Sequence, residues 1–377
     1  MEAMSVEELR KLCPVKWHSQ IPADGISLGV ADVDFKGPAG AVQYLKDHLR
    51  EDFSFYQEQA GLDGAIDAAV EYLQHKSIPT SRKNIQIIEG TMMGIYVSMK
   101  WISNFPGDLL VLGPIYEPIH RHATTTGNNL HWTPITKNGL DRDHIKQIME
   151  EHQIKMITMC NPTNPIGYVF DTDELQFIAD IAEEYDCYVF ADELYEPLWF
   201  DKPQKSIASI EGMAERSILL YGFSKAYGLA GYRAGFMYIG PDIDQVKFIT
   251  SQQIVSPSPV SSLITEFALT DKRAQQWVQD FREHTRKTTR FAADKFNKLG
   301  YSCEVPQGCF FVYPDLGIDD QKFSQQLLEE EGIQVVPGSA FGPMGQRHVR
   351  INCATSIARL DEAITRIHNL IQKNTNE

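Results

Sequence analysis

The chain has 377 residues, 43% hydrophobic and 23% charged, a composition that suits a globular protein of two or three domains. Its formal net charge of −15 disfavours nucleic-acid binding through cationic phosphate contacts, and adsorption to anionic membrane with it. No apolar run is long enough to span a bilayer, and residues Met1–Glu8 lack the basic and apolar stretches of a secretory signal. Six scattered cysteines (13, 160, 187, 303, 309 and 353) show no C-x-x-C spacing and read as reduced thiols, so a cytoplasmic location is expected.

Residues 1–38 read as an arm: a short helix over Ser5–Leu12, then an irregular stretch ending in Ile26–Phe35. From about residue 84 the pattern alternates between strand and helix, as in a parallel α/β domain. Apolar, β-rich runs fall at Asn84–Ile88, Leu109–Leu112, Leu130–Ile135, Lys155–Cys160, Cys187–Ala191, Ser217–Leu220 and Ala234–Ile239, predicting seven strands. Asp171-Thr-Asp-Glu opens a capped helix whose Leu175, Ile178, Ile181 and Ala182 recur at helical spacing. Ser256–Ser262 reads as a Ser/Pro loop. A long charged helix, Arg273–Leu299, then connects to a smaller α+β unit with strands expected at Gly308–Tyr313, Gln334–Pro337 and His348–Cys353 and a closing helix from Arg359. The expected division is an arm (1–38), a large domain (39–272), and a connector with a small domain (273–377).

The chemistry concentrates in Tyr221–Phe236, YGFSKAYGLAGYRAGF. Lys225 follows a buried strand and sits among Phe223, Tyr227 and Leu229. Desolvation lowers a lysine's pKa and makes its neutral, nucleophilic amine accessible, fit to form an imine with a carbonyl. Arg233, eight residues on, offers a planar fork suited to phosphate. A phosphorylated aldehyde that would use both is pyridoxal 5'-phosphate.

This segment resembles the lysine signature of the class I/II aminotransferases, the fold-type I pyridoxal-phosphate enzymes, S-F-S-K-x-x-G-L-A-G-x-R-x-G. The resemblance extends from Gly29 to the last helix. It implies a large domain with a seven-stranded, mostly parallel sheet plus a small α+β domain. It also implies a Lys225 imine with the cofactor and Arg233 on the cofactor phosphate. Gly222 departs from the pattern, which often has serine or threonine there; Ser224 is the neighbouring hydroxyl.

Further motifs carry further implications, and four of them lie at the carboxyl ends of expected strands, where open parallel sheets bind ligands. Glu89-Gly-Thr-Met opens a helix, and the amides around Gly90, Thr91 and Met92 would cradle the phosphate. Tyr116, in Gly-Pro-Ile-Tyr, would stack on the pyridine ring. Asn161-Pro-Thr-Asn-Pro-Ile-Gly resembles N-P-x-N-P-T-G, implying that Asn164 donates to the ring's phenolate oxygen. Asp192-Glu-Leu-Tyr195 matches D-x-x-Y, implying that Asp192 holds the ring nitrogen protonated and Tyr195 shares the phenolate oxygen. Val349-Arg350-Ile resembles the small-domain strand whose arginine binds the substrate carboxylate. Ala31 would offer a backbone N–H to that carboxylate. Tyr56, in Tyr-x-x-x-x-Gly-Leu, would reach the phosphate of a neighbouring subunit, so a homodimer is expected. Asn352 and Cys353 depart from the pattern with no consequence legible in the sequence.

The implied activity is transfer of an amino group between an L-amino acid and a 2-oxo acid. Residues Ala31–Phe35 also resemble the A-D-M-D-F of the carbon–sulfur β-lyase branch, so elimination from a thioether amino acid stays open. A transcription regulator of this fold would need a basic helix-turn-helix region, and a dinucleotide dehydrogenase a G-x-G-x-x-G after its first strand; neither is expected. His120 and His122 form an H-x-H without a third ligand at credible spacing, and His18, beside Trp17 in the arm, reads either as a surface histidine or as part of the substrate mouth.

Overall fold

The computed structural model describes residues 1–18 and 20–376. Among them, eight strands form one mixed sheet: β1 (Ile85–Ile88), β2 (Asp108–Gly113), β3 (Leu130–Thr136), β4 (Gly139–Leu140), β5 (Ile154–Cys160), β6 (Tyr188–Asp192), β7 (Ser217–Gly222) and β8 (Gly235–Ile239). Their spatial order is β1-β8-β7-β6-β5-β2-β3-β4. Strands β7, β6, β5, β2 and β3 pair in parallel, while β8 runs antiparallel to β7 and β1, and β4 antiparallel to β3.

All seven expected strands are present; the eighth, β4, is a two-residue return after β3. The near-continuous apolar runs of the central strands follow from burial on both faces. Along β7, Leu219 and Tyr221 join one hydrophobic core, with helices such as Asp63–His75 and Thr172–Glu184, while Ile218 and Leu220 join the core under the Thr91–Ile102 helix. Successive side chains point to opposite faces, so each strand serves both cores.

A third core gathers Leu9, Trp17, Ile26 and Leu28 of the arm with Phe296, Phe323, Ile351 and Leu360 near the other end of the chain. Ile26–Ser27 pairs in parallel with Ile333–Gln334, which stitches the arm to that region. Strand Val349–Asn352 lies between Phe311–Val312 and Val336–Pro337. The long helix spans Lys272–Lys298, capped by Asp271, and the last helix spans Ile357–Asn376. The Ser/Pro segment is not a loop throughout. Ser258 caps a helix, Pro259–Thr270, with proline in its first turn, the position where a missing N–H costs nothing. Among the described residues, no helix is long and apolar enough to cross a membrane.

Candidate active site

Strand direction brings the singled-out residues together. The parallel strands end on one edge of the sheet, and because β8 is antiparallel it starts there, with Gly235 paired to both Gly222 and Ile88. Gly90, Tyr116, Asn164, Asp192, Lys225 and Arg233 therefore lie within a few residues of that edge.

Lys225 is partly buried, and its Nζ donates to the Ala31 carbonyl at 2.6 Å. Burial pulls its pKa down to about 8, with Arg350 and Arg233 adding to the depression against the opposing pull of Asp32 and Asp192. Asp192, 1% exposed, accepts from the Leu194 N–H at 3.1 Å, and burial raises its carboxyl to about 6. A carboxylate at this depth needs a cationic partner to stay ionised.

Arg350 is 4% exposed and comes from the third core. Its Nη1 donates to Asn164 Oδ1 at 3.1 Å and its Nη2 to the Gly29 carbonyl at 2.6 Å. Its guanidinium lies over Phe311 and Phe341, with centroids at 4.3 and 5.1 Å. Its Nε has no partner. Since arginine only donates, the Asn164 atom facing it is the oxygen, which frees Nδ2 to donate elsewhere. Lys225, Arg350, Tyr116, Ala31 and Gln334 line one cavity of about 300 Å³.

An anion cradle lies beside it. Gly90, at φ 91°, precedes the Thr91–Ile102 helix, whose first amides have no intrahelical acceptor. A Cβ on Gly90 would collide with Arg233 Nη2, so only glycine lets this guanidinium approach the helix start. Arg233 itself is left-handed (φ 55°), and the Ser261 hydroxyl donates to its carbonyl at 3.1 Å. The Gly222 departure has a steric reason: a Cβ there would stand 2.6 Å from Leu194 Cδ1 and 2.8 Å from Thr91 Cγ2. Gly222→Ser should therefore lower stability by about 1–3 kcal/mol through overpacking rather than improve the cradle, and a thermal melt of the apoprotein checks this.

Other candidates divide. Tyr195 is buried, its ring edge-on to Phe310 and Phe311 at 5.5 Å. Tyr116 caps the Glu117–Thr125 helix and points its hydroxyl at Met92 Sδ, 3.9 Å away. Ser224 is partly buried. Ala31 meets Lys225 with its carbonyl, whereas a role for its N–H was expected. Tyr56 precedes the expected turn at Gly61 but is 84% exposed, standing clear of this chain's own cavity. His18 is not a plain surface residue: its Nε2 lies 3.1 Å from Gln334 Nε2 at the cavity wall.

Asn352 has a consequence the sequence did not reveal. Fully buried, its Nδ2 donates to the Val30 and Asp32 carbonyls, both at 2.7 Å, and so clamps the arm on either side of Ala31. Asp34 anchors the same stretch: buried with Lys16 at 2.9 Å, it also accepts from Trp17 Nε1 and Arg359. Asn352→Ala removes one donor from each carbonyl, although the Asp32 N–H still reaches the Val30 carbonyl and Lys16 Nζ the Asp32 carbonyl. It should destabilise by about 1–3 kcal/mol and raise KM for a substrate bound in this cavity, as melts and steady-state kinetics would show.

The sequence model of aminotransferase class I and II matches residues 23–367. The chain belongs to this family. It is 28% identical to aromatic-amino-acid aminotransferase 2 of Thermococcus litoralis, covering 99% of this chain and 97% of the relative. It is 29% identical, with the same coverage, to an aspartate aminotransferase of Pyrococcus abyssi. The crystal structure of an aromatic aminotransferase from Pyrococcus horikoshii OT3 matches with TM-score 0.86 at 28% identity, covering 98% of this aminotransferase and all of that chain. Its cofactor is pyridoxal 5'-phosphate. The residues present fit that group: a depressed lysine, a deeply buried carboxyl short of a cation, and a glycine that admits an arginine to a helix start.

Proposed function

We propose that this aminotransferase moves the amino group of an L-amino acid to a 2-oxo acid, with Lys225 as the proton carrier and Arg350 as the carboxylate fork. The observation that carries the reading is the opening of Lys225 Nζ and the Arg350 guanidinium onto one cavity, with Asp192 buried close by. Pyridoxal 5'-phosphate, when bound, supplies the electron sink for negative charge developing at the substrate's Cα. Asp192 would hold the proton on the ring nitrogen, and in doing so gain the cation its burial demands. Arg233 and the amides of Gly90, Thr91 and Met92 would hold the phosphate, Asn164 Nδ2 and Tyr195 the phenolate oxygen, and Tyr116 one face of the ring. Ser224 would add a hydroxyl near the phosphate. Arg350 would fix the carboxylate, with Asn164 holding the guanidinium in plane, and orient the Cα–H bond toward Lys225. Lys225 Nζ would take the Cα proton as a base and return it as an acid.

The reading extends to a cytoplasmic homodimer in which the partner subunit's Tyr56 completes the phosphate site; six free thiols and an exposed Tyr56 support it. The units would be the arm, 1–38, packed with 273–377, and a large domain, 39–272. Among rival chemistries the lyase is less supported, since the full-length relatives are named aminotransferases. The test is an assay of aspartate and aromatic amino acids against 2-oxoglutarate and pyruvate, beside one for thiol release from cystathionine. Oxo-acid-dependent transfer is expected; thiol release without it would reverse the assignment.

A further inference from the structure

At the edge of the sheet opposite the cavity, three potential metal ligands meet. Asp108 opens β2, His131 is the second residue of β3, and His152 follows the Arg142–Glu151 helix just before β5. Strand β2 lies between β3 and β5, so the topology forces these three residues into proximity although the sequence scatters them. Their ligand atoms all lie within 4.8 Å of one another, and each residue is partly buried. His131 Nε2 is 2.9 Å from Asp108 Oδ2, and the His131 and His152 rings stack at 3.8 Å.

The supporting shell is in place. Asn129 Nδ2 donates to Asp108 Oδ1 at 2.9 Å, fixing the carboxylate while leaving Oδ2 toward the histidines. The backbones are tied as well: Asp108 N–H to the Gln153 carbonyl at 2.8 Å, Leu109 N–H to the Asn129 carbonyl at 2.9 Å, and His152 N–H to the Ile148 carbonyl at 3.0 Å. Asp108 and His131 are carried on strands, which hold ligands more precisely than loops do, and His152 is the residue that closes the Arg142–Glu151 helix. A tetrahedral ion with bonds of about 2.0–2.2 Å needs its ligand atoms roughly 3.3–3.6 Å apart, within reach of side-chain rotation from the present spacing. Two imidazoles and one carboxylate match zinc and its neighbours in the transition series, and are poorly suited to magnesium or calcium.

We propose that Asp108, His131 and His152 form a binding site for a divalent transition metal ion of the zinc type, with a remaining position open to water. The full length of β2 separates it from the catalytic edge, so it binds without touching Lys225 or Arg350.

Calorimetric titration of the tag-free holoenzyme with Zn²⁺ tests this. One ion per chain is expected, with a rise in Tm on addition of Zn²⁺, visible absorption bands of low-coordinate Co²⁺ on cobalt addition, and no comparable heat from Mg²⁺. Asp108→Asn should weaken binding by about tenfold or more, and His131→Asn or His152→Asn should remove it, with transamination in metal-free buffer unchanged. Should His131→Asn fail to fold, His152→Asn, which removes only a stacked ring, carries the test; retained cofactor absorbance reports its fold. No zinc binding at millimolar concentration, equal binding of Mg²⁺, or parental affinity in the His152→Asn variant overturns the site.

Discussion

Lys225→Ala is expected to lower kcat by about 10⁴-fold or more, beyond the loss of any other single side chain in the cavity. A positioned acid–base group contributes roughly 10²–10⁴ in rate, and in the proposed reading this amine is also the covalent anchor of the cofactor, so both contributions would vanish together. The measurement is single-turnover transfer at saturating cofactor, paired with borohydride reduction and mapping of the labelled peptide. Transfer within tenfold of the parent, or label elsewhere, sinks the assignment. The same amine sets a pH signature. With its pKa pulled down to about 8, the neutral fraction falls about tenfold per pH unit below that value. Capture of the cofactor aldehyde by apoprotein should therefore accelerate about tenfold per unit up to about pH 8 and level off above it. The linked stability follows: the unfolded chain keeps this proton to about pH 10.4 while the folded one has lost it. Burial of Lys225 therefore costs stability below about pH 8, and that cost is relieved as pH rises from there toward 10.4.

Arg350→Lys should reduce kcat/KM for amino acids by roughly 30-fold to several thousand-fold, the equivalent of about 2–5 kcal/mol for a disrupted buried charge contact. An ammonium is a point charge without a plane. It cannot hold Asn164 Oδ1 and the Gly29 carbonyl, lie flat on Phe311 and present a fork to a carboxylate at the same time. KM should carry most of the loss. The sharper readout is selectivity: the parent should favour an amino acid over the corresponding amine without its carboxylate, and the variant should narrow that gap. A variant that keeps the parent's selectivity would mean the carboxylate is held elsewhere.

The sheet was legible because β1, β2, β5, β6, β7 and β8 are apolar on both faces, and each run ends in a polar, sharply turned segment. Strand β4 was not, since two residues starting at Gly139 carry no periodicity. Gln334–Pro337 divides between two partners, Ile26–Ser27 and Val349–Asn352, a split that only tertiary packing decides. At the site, lysine, aspartate and arginine declared themselves by chemistry and spacing. Asn352 did not, because its partners are backbone carbonyls of a segment more than three hundred residues earlier. Gly222 read as a defect in a motif until Leu194 and Thr91 were seen to fill its space. Phe341, which supports Arg350, sits in a short 3₁₀ turn where one aromatic has no pattern to betray it.

The place of β8 has a further consequence. Among the described residues β1, the strand that leads into Gly90, pairs with no strand except β8, which is made long after it. A nascent or clipped chain ending before Gly235 therefore leaves an isoleucine-rich ribbon with its hydrogen-bonding groups open on both sides, a template for self-association. In the proposed reading the cradle for the phosphate of vitamin B6 is incomplete until that late insertion brings Arg233 to the start of the earlier helix. The yellow colour of a preparation would thus report how many of its chains have finished assembling.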